Sequence, residues 1–245
     1  MKVIAVIPAR YGSSRFPGKP LALISNKPMI QHVYEKVSGV KNIDKVVVAT
    51  DHEKIYNLVK SFGGEAIMTK ETHESGSDRM AEVSMKIDGD IFLNVQGDEP
   101  LINPKLVEEI VEQSKLNTDA VITAKKVIND LEDISNPNVV KVISNLNKDA
   151  IYFSRSPIPY NRSNDEIIYY KHLGIYCYPK DILQNFVTLP KSNYEQTEML
   201  EQLRLLENGY KIKVLETNYE SIGVDTPEDI KRIEKILEEN NICQK

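Results

Sequence analysis

The residues best suited to chemistry are gathered in a cationic loop near the start of the sequence. Residues 8–20 (PARYGSSRFPGKP) contain Arg10, Arg15 and Lys19, together with glycines and serines but no acidic residue. A short β-branched run at residues 2–7 (KVIAVI) precedes them and is typical of a buried strand. Such a loop suits the phosphates of a nucleotide, because backbone N–H groups and fixed cations can surround them there. The sequence therefore predicts a phosphate-binding loop.

This loop differs from the P-loop of NTPases in its spacing and in its last residue. Five residues separate Gly12 from Gly18, one more than in that motif, and Pro20 replaces the hydroxyl residue that holds magnesium. Pro20 also disfavours a helical conformation at Lys19, so we expect Lys19 to lie on extended chain and reach across a pocket. The alternative is a solvated basic loop without a ligand. The three cations with no acidic residue among them argue against that alternative.

Two carboxylates beside glycine-bearing turns are candidates for holding a metal ion. Asp98 follows a strand-like run in the sequence QGDEP, and Asp225 lies in GVDTPED. Magnesium is usually held by one or two protein carboxylates together with substrate phosphates and water. Glu99 could be the ligand in place of Asp98, and Asp225 is almost equally consistent with a turn residue or a helix N-terminus.

His172 is the histidine with the most informative surroundings, since it lies in an apolar, strand-like segment two residues before Gly174. Most histidines in such segments are core residues with satisfied hydrogen bonds, so periodicity alone leaves a functional role as the minor alternative. No Ser–His–Asp or Cys–His arrangement can be argued from spacing.

The first half of the chain alternates strand-like and helix-like segments. This alternation predicts βαβ units and a parallel sheet whose strand carboxyl ends share one edge, outside which ligands bind. A polar, glycine-bearing segment at residues 70–78 predicts a loop, and residues 79–87 predict a helix. In the second half, the pattern predicts strands at 120–127, 139–143, 150–154 and 169–178, one helix over 192–208, and a last helix over about 227–240.

The bulk properties limit the classes of function. A chain of 245 residues suits one α/β domain or a domain with an inserted lobe, and its net charge of −5 argues against a nucleic-acid partner. Cys177 and Cys243 have the spacing of neither a disulfide framework nor a zinc site, which fits the reducing cytoplasm. No apolar run is long enough to span a membrane, so we expect no membrane insertion.

Eight stretches of the sequence, in order and over essentially the whole chain, match the motifs of one family. They are IPARYGSSRFPGKPL, VATDHE, HESGSDR, NVQGDEP, YFSRSPIP, KHLGIYCY, EMLEQLRLLENG and GVDTPED. Together they resemble the 3-deoxy-manno-octulosonate cytidylyltransferase (CMP-Kdo synthetase) family. The departures are mild: Ser77 stands where the family usually has Thr, and Met80 where Leu is common.

The resemblance implies a nucleotidyltransferase that joins CTP and Kdo to give CMP-Kdo and pyrophosphate, for lipopolysaccharide or capsule synthesis. It implies a Rossmann-like α/β fold with a mixed, mostly parallel sheet flanked by helices. The expected organisation is a single domain over residues 1–245, in which residues from about 120 to 190 contribute to a smaller sugar-binding and dimerisation lobe. A homodimer and a Mg²⁺ cofactor are implied as well.

The same motifs imply roles for individual residues. The expected catalytic residues are Lys19, Arg10, Asp98 and Asp225, of which the two aspartates would hold Mg²⁺. The expected nucleotide-binding residues are Ala9, Arg10, Gly12, Ser13, Lys19, Ser75 and Arg79. The residues expected to face the sugar acid are Arg15, Gln96, Arg155, His172, Tyr176, Glu201 and Gln202.

Two rival functions stay open at this point. One is a cytidylyltransferase for another acidic sugar, such as an 8-amino variant of Kdo or a nonulosonate like sialic acid. Those relatives should differ around His172 and Glu201, where this chain matches the Kdo type. The other is a nucleotide-binding module without catalysis. The presence of Asp98, Asp225, Arg10 and Lys19 argues against it.

Overall fold

The computed structural model describes residues 1–12, 16–163, 165–220 and 222–242, and for residues 240–242 the backbone alone. The chain divides into two compact units, residues 1–108 with 221–245 and residues 109–220. The predicted mixed α/β fold, with a mostly parallel central sheet flanked by helices, is confirmed. The single domain with a smaller lobe stays a prediction.

Strands and helices alternate along the chain. The strands are β1 (Val3–Ala9), β2 (Leu23–Ile24), β3 (Lys27–Pro28), β4 (Lys45–Thr50), β5 (Ala66–Met68), β6 (Ile91–Asn94), β7 (Ala120–Val127), β8 (Lys141–Ser144), β9 (Ala150–Ser154), β10 (Tyr170–Pro179) and β11 (Lys211–Glu216). The helices are α1 (Met29–Ser38), α2 (Glu53–Ser61), α3 (Gly76–Lys86), α4 (Pro104–Leu116), α5 (Leu131–Ser135), α6 (Lys180–Phe186), α7 (Asn193–Glu198), α8 (Leu203–Glu207) and α9 (Pro227–Ile242). Within the described ranges, no helix is long and apolar enough to cross a membrane.

The first unit contains a parallel arrangement of strands in the order β6-β1-β4-β5. Its buried centre is β1, in which Val3 to Ile7 have no exposed surface. Helices cover both faces of such sheets, which explains why the strand sequences are continuous apolar runs. Because the strands are parallel, the residues that follow β1, β4 and β6 meet at one edge.

In the second unit, β7 lies between β11, which is parallel to it, and β10, which is antiparallel. β8 forms antiparallel pairs with both β9 and β10. The register of β10 against β7 shifts at one point: Leu173 pairs with Ala124, but Tyr176 pairs with Thr123. β10 therefore carries extra residues there, a β-bulge that re-aims the side chains next to it.

Helix α3 begins three residues before the helix predicted at 79–87, so the predicted loop at 70–78 is shorter than expected. Ser75 caps this helix: its side chain accepts a hydrogen bond from the Asp78 amide, and the Asp78 carboxylate accepts one from the Ser75 amide, both 3.1 Å long. This capping box satisfies two N–H groups and offsets the weak helix propensity of Gly76.

The single helix predicted over 192–208 is wrong. The structure has two helices, α7 and α8, with a break at Met199, whose φ of 52° lies in the left-handed region. Arg155 stabilises the break, because its Nε donates to the Glu198 carbonyl (2.7 Å) and its Nη2 to the Met199 carbonyl (3.3 Å). Arg155 lies 43 residues before Glu198, so local helix propensity contains no sign of it. The sequence patterns also miss the short helices α5 and α6.

Candidate active site

A cleft of about 300 Å³ lies at the carboxyl-terminal edge of the parallel strands in the first unit. The loops after β1 and β6, the segment before α3 and the turn before α9 line it. The cleft brings together eight of the predicted site residues: Ala9, Arg10, Lys19, Ser75, Arg79, Gln96, Asp98 and Asp225. The parallel strand order accounts for this placement, because it directs the strand carboxyl ends to one edge.

Lys19 reaches the cleft from a tight turn. Gly18 has a φ of 70°, a left-handed conformation that glycine adopts without strain, and a Cβ at this position would lie 3.3 Å from the Tyr11 ring. The extended conformation predicted for Lys19 is wrong, because Lys19 begins one turn of 3-10 helix at residues 19–21. Pro20 is accepted in that first turn, where its missing N–H needs no partner.

The Lys19 ammonium joins the two predicted metal ligands. Its Nζ lies 2.5 Å from Asp98 Oδ2, 2.7 Å from the Val224 carbonyl oxygen and 3.7 Å from Asp225 Oδ1. A backbone bond of 2.9 Å from the Val224 amide to the Asp98 carbonyl holds the two carboxylate-bearing turns together. Two carboxylates that are distant in sequence therefore converge on one cation, as the metal-site prediction requires.

These oxygen atoms suit magnesium in their chemistry. Magnesium prefers hard oxygen ligands and is usually bound through one or two carboxylates plus substrate phosphates. In the described part of the chain, no cluster of three or more His, Cys, Asp or Glu residues could hold a metal ion alone. The pair Asp98 and Asp225 therefore fits a magnesium ion that is bound jointly with a nucleotide, rather than an all-protein metal site.

Arg79 lines the cleft but is also bound to the protein. Its side chain is 3% exposed, and it donates to Thr69 Oγ1 (2.6 Å), the Lys70 carbonyl (3.3 Å) and Asp51 Oδ2 (3.0 Å). The other oxygen of Asp51 accepts a hydrogen bond from the Tyr11 amide (3.2 Å). Asp51 therefore connects the phosphate-binding loop to α3. Sequence patterns did not single it out, although a carboxylate directly after a buried strand is an available signal.

A second missed carboxylate, Glu82 on α3, anchors the segment before that helix. It accepts hydrogen bonds from the Lys70 amide (3.0 Å), from His73 Nε2 (2.5 Å) and from Lys86 Nζ (2.6 Å). Burial raises the pKa of Glu82, but these three donors outweigh burial and lower it to about 2. His73 lines the cleft, so the hydrogen bond to Glu82 holds a cleft-lining side chain in place.

The second unit contains five residues predicted to face the sugar acid: Arg155, His172, Tyr176, Glu201 and Gln202. The His172 and Tyr176 ring centroids lie 5.2 Å apart. Burial lowers the pKa of His172 to about 3. Burial raises the pKa of Tyr176 well above its usual range, with smaller contributions from Tyr178 and Glu201. His172, Tyr176 and Glu201 therefore form one cluster, and the buried Gln202 follows directly.

Arg155 has a structural task in the second unit. Its guanidinium donates to the carbonyls of Glu198, Pro137 and Met199 at 2.7, 2.8 and 3.3 Å. These bonds support the break before Glu201, while a direct contact of Arg155 with the sugar acid stays a prediction.

The remaining predicted residues follow β1 in the sequence. Gly12 is exposed and does not line the cleft within the described residues. Ser13 and Arg15 lie outside the described residues.

Comparison with known proteins agrees with this architecture. A family model for cytidylyltransferases matches residues 4–213. A 3-deoxy-manno-octulosonate cytidylyltransferase of Thermodesulfovibrio yellowstonii is 51% identical, with 97% of this chain and 98% of the relative covered. One of Geobacter metallireducens is 49% identical, with 95% and 96% covered. The solved structure of CMP:2-keto-3-deoxy-manno-octonic acid synthetase complexed with CTP is 46% identical, with a TM-score of 0.94 and with 98% of this chain and 100% of that chain covered. The chain belongs to the 3-deoxy-manno-octulosonate cytidylyltransferase family.

Proposed function

We propose that the protein joins CTP and Kdo to give CMP-Kdo and pyrophosphate, for lipopolysaccharide or capsule synthesis. One observation carries the proposal: Lys19, Asp98 and Asp225 converge in one cleft of a chain that belongs to this family. This arrangement combines a cation for phosphates with carboxylates for a metal ion, which are the recurring components of phosphoryl-group transfer.

In the proposed reaction, the anomeric hydroxyl oxygen of Kdo attacks the α-phosphorus of CTP in line with the leaving group. A new P–O bond forms, the bond to pyrophosphate breaks, and the hydroxyl proton is released. The reaction needs no covalent intermediate with the protein. Positioning of the two substrates and neutralisation of phosphate charge therefore supply the catalysis.

The cations of the cleft would neutralise the leaving pyrophosphate. Arg10 is exposed at the cleft, whereas Lys19 contacts two carboxylates. Asp98 and Asp225, when they hold a magnesium ion, would release the Lys19 ammonium to the phosphate oxygens. When bound, magnesium would supply positive charge to those oxygens and would lower the pKa of the attacking hydroxyl.

The nucleotide would be held by the loop after β1 and by the start of α3. Ala9, Ser75 and Arg79 line the cleft, and Gly12 and Ser13 follow Arg10 closely in the sequence. The first N–H groups of an α-helix attract anions, and Ser75 and Gly76 place the amino end of α3 at the cleft.

The sugar acid would be bound by Gln96, His172, Tyr176, Glu201 and Gln202, with Arg15 and Arg155 as further anion contacts. These assignments rest on the family motifs. A second candidate substrate is 8-amino-Kdo, since it shares the carboxylate and most hydroxyl groups with Kdo. A homodimer is proposed on the same resemblance, and a cytoplasmic location is proposed on the cysteine usage, which fits a reducing compartment.

Replacing Asp98 tests the metal site. We expect Asp98→Asn to lower turnover about a hundred-fold or more, because a neutral amide is a poor magnesium ligand. The affinity for CTP, measured by calorimetry, should change less than the turnover. The measurement is pyrophosphate release with CTP, Mg²⁺ and a panel of Kdo, 8-amino-Kdo and sialic acid.

Glu99→Gln is the matched control, since Glu99 is the neighbouring carboxylate and the alternative ligand. It should retain most of the turnover. Wild-type turnover in Asp98→Asn would show that the metal assignment is wrong, and loss of turnover only in Glu99→Gln would transfer the role to Glu99. Faster turnover with another sugar acid of the panel would show that this acid, and not Kdo, is the substrate.

A further inference from the structure

The hydroxyl group of Thr123 occupies the β-bulge between β7 and β10. Thr123 is fully buried, and its Oγ1 lies 2.8 Å from the Ile175 carbonyl oxygen and 3.2 Å from the Leu173 carbonyl oxygen. Both carbonyls belong to the stretch of β10 where the register shifts. The same Oγ1 lies 3.0 Å from His172 Nε2. One hydroxyl group therefore contacts two acceptors and one ring nitrogen.

The number of protons available on each group determines which atom donates in each contact of Thr123 Oγ1. A threonine hydroxyl has one proton and two lone pairs, and a carbonyl oxygen can only accept. The Thr123 proton must point to a carbonyl, because otherwise two oxygen atoms would lie 2.8 Å apart with no proton between them. Thr123 then offers a lone pair to His172, and His172 Nε2 must carry the proton.

The ring of His172 is neutral in this environment. It packs edge to face on the Phe153 ring with centroids 5.1 Å apart and lies beside Tyr176. Burial among these groups lowers the pKa of His172 to about 3, so the ring carries no charge near neutral pH. With the proton on Nε2, Nδ1 holds a lone pair, and the ring contact with Thr123 uses Nε2 and not Nδ1.

We propose that Thr123 is a positioning residue that holds His172 as a neutral hydrogen-bond acceptor, so that Nδ1 contacts a hydroxyl group of the sugar acid and not its carboxylate. This inference rests on the proposed function, in which His172 faces the sugar. A lone pair on Nδ1 attracts a hydroxyl proton and repels a carboxylate oxygen. Thr123 therefore helps to select substrates by a hydroxyl group at the matching position.

The tautomer of His172 can be measured directly. In the full-length, ¹⁵N-histidine-labelled protein at pH 7, long-range ¹H–¹⁵N spectra distinguish a protonated from an unprotonated ring nitrogen. The His172 signals are assigned by their loss in His172→Gln. We expect Nε2 protonated and Nδ1 unprotonated in the wild type and in Thr123→Ser, which retains the hydroxyl group. Proton exchange to Nδ1, or a doubly protonated ring at pH 7 in the wild type, would overturn the proposal.

Kinetics test the contact with the sugar. We expect Thr123→Val and His172→Gln to raise KM for Kdo about three- to ten-fold, the value of one hydrogen bond, and to leave KM for CTP unchanged. Thr123→Ser should restore KM for Kdo. An equal rise in KM for both substrates would indicate a merely structural role and contradict the proposal.

Deoxygenated sugars identify the contact. Among analogues of Kdo that each lack one hydroxyl group, one should be insensitive to His172→Gln, because the lost partner is already missing. Equal sensitivity of all these analogues would refute the hydroxyl contact. If the wild type activates no Kdo at all, the proposed function fails, while the tautomer measurement still decides which ring nitrogen of His172 carries the proton. His172→Gln keeps the kinetic test available if Thr123→Val does not fold.

Discussion

Replacement of Asp51 tests how the phosphate-binding loop is held in place. Asp51 accepts hydrogen bonds from the Tyr11 amide (3.2 Å) and from Arg79 Nη2 (3.0 Å). The Arg79 guanidinium is 3% exposed. In Asp51→Ala it would keep, among the described residues, the oxygen atoms of Thr69 and Lys70 as partners. We expect the variant to be less stable and to bind CTP more weakly, because Arg10 precedes the released Tyr11 amide.

The magnitude follows from the burial of the ion pair. Removing one partner of a buried ion pair costs about 3–5 kcal/mol of stability. Arg79 keeps hydrogen bonds to two other oxygen atoms, so we expect a loss at the lower end of that range. A loss of about 3 kcal/mol corresponds to a fall in Tm of about 6–12 °C for a chain of this size. Asp51→Asn keeps one acceptor oxygen, which serves only one of the two donors at these positions, and removes the charge, so we expect a part of that loss.

The assay combines thermal unfolding with the KM for CTP, and Asp44→Ala is the control. Asp44 accepts a hydrogen bond from the Val3 amide (2.7 Å) at the opposite end of β1, away from the cleft. We expect Asp51→Ala to raise KM for CTP about ten-fold, and Asp44→Ala to leave it unchanged at a stability loss of about 1 kcal/mol. Equal KM values for CTP in the two variants, or unfolding of Asp51→Ala within about 2 °C of the wild type, would refute this role of Asp51.

Two further predictions concern stability. Because the pKa of Glu82 is lowered to about 2 in the folded protein, Glu82 stabilises the fold above its unfolded pKa, and this contribution is lost as the pH falls from about 4.5 towards 2. Glu82→Gln should therefore be less stable than the wild type at pH 7, by about 2 kcal/mol after solvent screening. Below pH 4.5, the Tm of Glu82→Gln should fall less with pH than the Tm of the wild type. An equal fall of Tm with pH in both proteins would contradict this. Met199 has a left-handed φ of 52° and an exposed side chain, so Met199→Gly should raise the free energy of unfolding by up to about 1 kcal/mol in urea titrations; a loss of stability would show that the Met199 side chain has packing partners of its own.

The regular elements of the first unit were largely predictable from the sequence. Buried parallel strands are continuous β-branched runs, and β1 and β4 have that pattern. The start of α3 was predicted too late, because Gly76 suggested a loop while the capping box of Ser75 and Asp78 stabilises the helix.

The candidate site was predictable where its residues follow strands or precede helices. Lys19, Asp98 and Asp225 were named from the chemistry of their loops and turns, and the parallel topology brings them together. Asp51 and Glu82 were not named, because each acts through partners that only the folded chain supplies.

Local sequence thus determined the strand cores, the turns and the kinds of side chain available for phosphate and metal chemistry, since these depend on composition and periodicity over a few residues. Tertiary structure alone decided which groups meet. Lys19 and Asp98 are 79 residues apart, and Thr123 and His172 are 49 apart. The contacts of such pairs depend on strand order and on a β-bulge. A hydrogen bond between distant residues leaves no local pattern, so the contact of Thr123 with His172 and the pairing of Lys19 with Asp98 became visible only in the fold.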